Sequence, residues 1–156
     1  MADSDALLTR VFELAANARA AGNHPFGALL AIDGKIVAEA GNLVNTTNDI
    51  TAHAETELVR VLERAGRLGE LGDGVVYASC EPCPMCVGAM FWAGARRIVY
   101  GLSAATLGAL STRPGDEPFG FTITASQVGG AASPPMEFIG PQREDEAAVA
   151  HRDFWF

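Results

Sequence analysis

VVYASCEPCPMCVGAMFWAGARRIVY, residues 75–100, decides the architecture. Val75–Ser79 is a short apolar run rich in β-branched and aromatic residues, the composition of a buried strand. Cys83–Ala93 reads as a helix, with Pro82 and Pro84 at its entry and first turn, where a missing N–H costs nothing. Arg97–Tyr100 reads as a second strand. Strand, helix and strand in succession predict a sheet whose later strands run parallel.

Upstream of this unit, Ser4 to Ala21 places Leu7, Val11, Leu14, Ala15 and Ala18 at helical spacing, with Ser4 as its cap and Gly22 as its end. Phe26–Ile32 and Lys35–Ala40 flank Asp33-Gly34, a strong hairpin signal. Asn42–Thr51 is polar and reads as a loop. His53–Ala65 reads as a helix with Leu58, Val59, Val61 and Leu62 inward and Gly66 at its end. Downstream, Ser103–Leu110 is a short helix, Ser111–Gly120 a surface loop and Gly129–Pro135 irregular. Met136–Ile139 is a last short strand, and Gln142–Phe154 a final helix.

The chain has 156 residues, one domain's worth of sequence; 49% are apolar, enough to bury a core, and 19% are charged. A net charge of −8 repels phosphate backbones at long range and weighs against a nucleic-acid partner. No apolar run approaches a membrane span, and the acidic start MADSDALLTR lacks the features of a signal peptide, so a cytoplasmic location is expected. The three cysteines all fall within Cys80–Cys86, a distribution that suits metal binding or thiol chemistry rather than a disulfide framework.

Cys83 and Cys86 sit three apart at a helix start, so both sulfurs face one way, and the helix N-terminus favours thiolate. His53 opens the other helix. If the two helix starts meet, they present one imidazole and two thiolates to a single ion. Zinc accepts that set, and three protein ligands leave a fourth position for water, the catalytic rather than the structural pattern. Glu55, two residues from His53, can take the proton from that water and return it to substrate and leaving amine. Alone, Glu55 reads as a first-turn acid that favours the helix dipole. Cys80 precedes the helix and reads as a small apolar strand end. A pair of buried thiols, a zinc module without turnover and a thiol oxidoreductase are the competing readings of the cysteines.

His53-Ala54-Glu55 followed by Pro82-Cys83-Pro84-Met85-Cys86 is the H-x-E…P-C-x-x-C signature of zinc nucleobase deaminases. The chain therefore resembles the cytidine deaminase-like superfamily. Pro25-Phe26-Gly27-Ala28, Asn48-Asp49 and Ser79-Cys80-Glu81 make it most similar to bacterial guanine deaminases. The resemblance implies a three-layer α/β/α fold with a central mixed five-stranded sheet, in one deaminase domain over 1–156. It implies zinc on His53, Cys83 and Cys86, Glu55 as proton shuttle, and a homodimer. It implies that Asn42 and the Ala54 N–H bind a free base and that Phe26 lines the pocket. Trp92 either restricts the pocket or packs in the core. The 141–156 segment, ending Phe154-Trp155-Phe156, is either an aromatic lid over the site, in some relatives swapped across a dimer, or a docked terminal helix. Asp116 or Glu117 stands for the loop acid of guanine deaminases at unmatched spacing; Arg113 is a further candidate contact. Glu144, Asp145 and Glu146 are a solvated helix start or hold a second pocket carboxylate. Guanine, converted to xanthine and ammonia, is the expected substrate; cytosine, a nucleoside or the adenosine of a tRNA are the alternatives.

Overall fold

The computed structural model describes residues 2–156. Its framework is a five-stranded sheet in the order β2-β1-β3-β4-β5. The strands are β1 (Gly27–Ile32), β2 (Lys35–Gly41), β3 (Val75–Cys80), β4 (Arg97–Leu102) and β5 (Glu137–Ile139). β1 and β2 form the expected hairpin. Asp33 and Gly34 both take positive φ, 50° and 75°, the twist that a two-residue hairpin turn needs. β1 also runs antiparallel to β3, whereas β3, β4 and β5 are parallel. The sheet is thus mixed, and the expected class holds.

Side chains alternate across the sheet, so each strand feeds two cores. Leu30, Val76 and Ile98 face one side, where Leu58, Leu62, Val87 and Met90 cover them. Those four come from α3 (Ala54–Arg64) and α4 (Pro84–Trp92). Leu29, Ala31, Tyr77 and Val99 face the other side, under Leu7, Leu8 and Val11 of α1 (Ala2–Ala20). Gly27 lets α1 come this close: a Cβ there would stand 2.6 Å from Leu14 Cβ and 2.7 Å from the Val11 carbonyl oxygen.

Several expectations give way. α1 begins by Ala2, so Ser4 lies inside the helix instead of capping it. Val61 is 38% exposed and sits at the outer margin of the α3 stripe. The polar loop after β2 contains a one-turn helix, α2 (Val44–Thr47), because Asn23 reaches across to it: its Oδ1 accepts from the N–H groups of Asn45 and Thr46. Beyond β4 come α5 (Ala104–Ser111), then α6 (Ala125–Gly130), which the sequence reading missed. The final helix is short: α7 (Glu144–Ala147) tightens into a 3₁₀ turn at Ala148–His151 and stops.

Two carboxylates tie this later half to the sheet. Glu81, just past β3, accepts from Ala104 N–H (3.0 Å) with one oxygen and Ala125 N–H (2.9 Å) with the other, satisfying the starts of α5 and α6 together. Glu144 accepts from the Ser103 N–H (2.9 Å) and hydroxyl (2.5 Å). The Ser103 hydroxyl, more than any other group, holds the Glu144 carboxyl below its ordinary value. A carboxyl lowered in the folded state contributes stability above its unfolded pKa, about 4.3, and loses it as pH falls through the folded value. Glu144→Gln should therefore lower the urea midpoint at pH 7 and lose that deficit as acid approaches; a deficit unchanged down to pH 3 would contradict this.

Candidate functional site

The sheet topology gathers the site. Because β1 runs against β3, the start of β1, the end of β2 and the end of β3 lie at one edge: Gly27 pairs with Gly41, and Ala28 with Ala78. Phe26, Asn42 and the Cys80–Cys86 segment therefore converge. This edge lies outside the carboxyl ends of parallel strands, where open α/β sheets place their sites. Ser79 Oγ accepts from Gly27 N–H at 3.0 Å and locks β1 to β3 there.

Two helices start at this edge. His53 is the N-cap of α3 and Cys83 the N-cap of α4, both with extended backbone and neither making a side-chain cap bond. Freed from capping, both side chains point to one place. His53 Nδ1 lies 3.7 Å from Cys83 Sγ and 3.5 Å from Cys86 Sγ, and the two sulfurs are 3.6 Å apart. Tetrahedral zinc, with bonds of about 2.3 Å to sulfur and about 2.0–2.1 Å to nitrogen, would hold its ligand atoms about 3.5–3.8 Å apart. The triangle has the dimensions of a zinc site. Among the described residues, this set is the one group of three or more His, Cys, Asp or Glu side chains close enough to hold an ion.

The electrostatics suit a cation. Contact with Cys86 brings the Cys83 thiol down to about 4; burial opposes the shift and His53 assists it. Cys86 moves the opposite way, raised by Cys83 and then by burial. His53 is raised, first by its bond to Cys83. One thiolate thus forms readily, and the second proton leaves when an ion takes its place. Cys80 ends β3, buried and apolar, its thiol raised well above the ordinary value by burial. It stays outside the triangle, as expected.

Glu55 is buried on the first turn of α3, its Oε2 3.5 Å from Cys86 Sγ. It stands beside the three ligands without joining them. Burial raises its carboxyl, a setting for a group that must both accept and release a proton near neutral pH. Asn42 is buried, and its backbone N–H donates to the Phe26 carbonyl oxygen (3.0 Å). Its Oδ1 accepts from Val44 N–H (3.1 Å), while Nδ2 has no partner among the described residues. Buried donors are nearly always satisfied, so an orphaned one marks a place for a ligand acceptor. Ala54 opens α3, so its N–H belongs to a first turn without intrahelical acceptors.

The chain's end returns to this edge. Trp155 lies 6.2 Å from Phe26 and 5.9 Å from His24 between ring centroids, and Phe154 lies 6.0 Å from His24. His24 is near enough to His53 that, after burial, the His53 charge is what lowers its pKa. His151 stacks on Trp155 (12° between planes) and meets the edge of Phe26 at 5.2 Å. Burial takes its pKa down to about 4, so it is neutral at pH 7. Among the described residues, neither its ring nitrogens nor Trp155 Nε1 finds a partner. The sequence reading missed His24 and His151; a histidine ahead of Pro25-Phe26, and another in an otherwise apolar AAVAH stretch, were the available signals.

Other candidates lie elsewhere. Trp92 is 85% exposed at the end of α4, so it neither packs in the core nor walls the site within this chain. Asp116 and Glu117 are exposed and line a surface cleft of about 190 Å³ with Arg113, Trp155 and Phe156, on the outer side of the aromatic tail. The Arg113 guanidinium lies 5.7 Å from the Phe156 ring. Glu144 serves Ser103, so it is not a free solvated acid; Asp145 and Glu146 are exposed, and Glu146 pairs with Arg143.

Residues 1–102 match the family model of the cytidine and deoxycytidylate deaminase zinc-binding region. The chain belongs to the cytidine deaminase family. It is a hydrolytic deaminase, and zinc is its metal. It is 39% identical to a probable cytosine deaminase of Schizosaccharomyces pombe over 151 residues, covering 96% of this chain and 91% of that one. The solved guanine deaminase of Bacillus subtilis is 36% identical with a TM-score of 0.60, over 77% of this chain and 85% of that one. A structure from studies of tRNA:A34 deaminases is 26% identical with a TM-score of 0.73, over 94% of this chain and 99% of that one. No helix of this deaminase, among the described residues, is long and apolar enough to cross a membrane.

Cys83→Ala should lose stoichiometric zinc and lower the thermal midpoint, because metal binding is coupled to folding. Cys80→Ala should keep its zinc. Elemental analysis after dialysis checks both; loss of zinc from the Cys80 variant would mean the ligand set is wrong.

Proposed function

We propose that this deaminase acts on a free nucleobase, releasing ammonia and leaving a carbonyl at the carbon that bore the amine. The observation that carries this reading is the closure of the site edge by Phe154 and Trp155 against His24 and Phe26. An aromatic wall suits a flat ring and leaves little room for a polynucleotide. The net charge of −8 also disfavours tRNA.

The chain's residues take these parts. His53, Cys83 and Cys86 hold the metal. Zinc held there supplies Lewis acidity, which makes water nucleophilic near neutral pH. Glu55 accepts a proton from the attacking water as a C–O bond forms at the amine-bearing carbon. It passes that proton to the ring nitrogen, then carries the remaining hydroxyl proton to the amine; the C–N bond breaks as the C=O bond forms, and ammonia leaves. Asn42 Nδ2 and the Ala54 N–H donate to ring acceptors. Phe26 lies against the ring, and residues 141–156 act as a lid whose Phe154 and Trp155 exclude water. Phe156 and Asp116 sit at the outer margin of that lid.

Guanine is the first substrate of this reading. Cytosine is the second, and two observations favour it. Asp116 and Glu117 stay exposed on the outer side of the tail, and the likeness to the S. pombe protein spans almost the whole chain. The enzyme acts as a homodimer in this reading; Trp92 and Phe119, 85% and 99% exposed, are the apolar surface a second copy would cover.

Ammonia release from guanine, cytosine, adenine and their nucleosides, measured beside inosine formation in tRNA, tests the reading. Turnover of a free base is expected; activity on tRNA alone would overturn it. Glu55→Gln should keep its zinc and lose about 10²–10⁴-fold in kcat. Loss of the metal in that variant would make Glu55 a ligand instead.

A further inference from the structure

Arg19 lies in the last turn of α1, more than 130 residues from the tail it touches. Its Nη1 donates to the carbonyl oxygens of Ala150 (2.9 Å) and Arg152 (2.6 Å), and its Nη2 to that of Asp153 (3.4 Å). The same guanidinium lies 5.4 Å from the centroid of Phe154. One planar, permanently charged group therefore grips three carbonyls within four residues and an aromatic face, a combination that suits arginine and not lysine.

Nothing else of this kind holds the tail. Among the described residues, Arg19 makes all the side-chain hydrogen bonds to residues 148–156. The tail's own backbone bonds from Arg152 and Phe154 are long, 3.3 Å each. The His151 ring nitrogens and Trp155 Nε1 are buried without partners among the described residues. What remains is contact with rings: Trp155 on Phe26, His24 and His151, and the Arg113 guanidinium 5.7 Å from Phe156, which touches no tail backbone. Aromatic contacts supply area but tolerate sliding, so they do not fix a register. Asp153, at φ 54°, turns the chain back so that Phe154 and Trp155 face the body, and its carbonyl is one of the three that Arg19 holds. Arg19 also precedes, by a single turn at Gly22, the segment that carries His24 and Phe26. The latch and the surface it closes against are one piece of chain.

We propose that Arg19 is a positioning residue that latches the aromatic tail over the zinc edge and thereby sets which ring systems the enzyme admits. It touches no reacting atom. With the latch intact, Trp155 and Phe154 limit the compartment to a free base; with it released, the tail swings outward, small bases bind less tightly and bulkier nucleosides gain entry. This rests on the free-base reading above.

The chain has two tryptophans, and Trp92 is exposed, so Trp92→Phe leaves Trp155 as the sole indole reporter of the tail. All comparisons are made within that background. Arg19→Ala and Arg19→Lys are measured for Trp155 emission and acrylamide quenching, zinc content, and deamination of free bases and nucleosides. Both variants should shift the emission to the red, raise quenching and keep one zinc. KM for the free base should rise about tenfold with kcat changed far less, and the ratio of nucleoside to base turnover should rise. Should the alanine variant fail to fold, the lysine variant carries the test, since it keeps the charge and lacks the fork. Unchanged Trp155 emission and quenching would overturn the latch. So would a loss of thermal stability with KM and substrate ratio unaltered. If no free base is a substrate at all, the fluorescence still decides the latch, and only the free-base reading fails.

Discussion

His53 and Cys83 occupy positions where a helix ordinarily keeps a Ser, Thr, Asp or Asn for its own first N–H groups. Neither side chain serves its helix. Each helix instead contributes its positive end to a common point, where a thiolate and an imidazole are brought within 3.7 Å. The concession at each cap is of order 1 kcal/mol. An ion bound by both caps offsets it, since it fixes α3 to α4 more firmly than either cap could fix one helix. The rest of the site follows from this. Cys86 comes one turn after Cys83, and Glu55 lies in the first turn of α3, so both side chains are carried to the same point.

The hairpin, β3, α3, α4 and the three-ligand set were legible because each depends on local pattern: Asp33-Gly34 between two apolar runs, or an apolar stripe that opens on His53 or Cys83. What escaped depends on distant partners. α2 exists because Asn23 satisfies its first turn, and nothing within residues 42–51 announces that. The last helix stops at His151 although its composition would carry it further: Arg152 is extended (φ −60°, ψ 131°), Asp153 takes φ 54°, and Arg19 engages the Ala150 carbonyl that a helix reaching Phe154 would use. α6 is a different case. Thr124 and Gln127 form a capping box readable from sequence, obscured there by the glycines that follow. Trp92 shows the limit of resemblance: its position on α4 was clear, but two residues past Met90 it lies on the face opposite the buried Cys86, Val87 and Met90, in solvent.

The polar groups around Phe26 form a pattern of their own. Asn42 Nδ2, both nitrogens of His151 and Trp155 Nε1 are all buried and, among the described residues, all unpaired. A buried polar atom without a partner costs about 1–3 kcal/mol, so several in one neighbourhood are a local concentration of destabilisation. Such a neighbourhood opens more readily than the sheet beneath it. The rigid part of the molecule carries the metal ligands and Glu55, and the part with unmet hydrogen bonds carries the walls. In the proposed reading, chemistry and admission thereby fall to regions of different stiffness.

Glu81 has a quieter consequence. Its two oxygens hold the first amides of α5 and α6, so the chain leaves the body at Ala104 and returns at Ala125 to the same carboxylate. Everything between is an excursion with a closed root. The turn-rich segment around Pro114 and Phe119 can lengthen, shorten or accept an inserted domain without moving either end, because the two ends are already joined two residues from a metal ligand. Variation in loop length there leaves the roots of α5 and α6 in place and is felt instead at Trp155 and Phe156, whose surface cleft Arg113, Asp116 and Phe119 share.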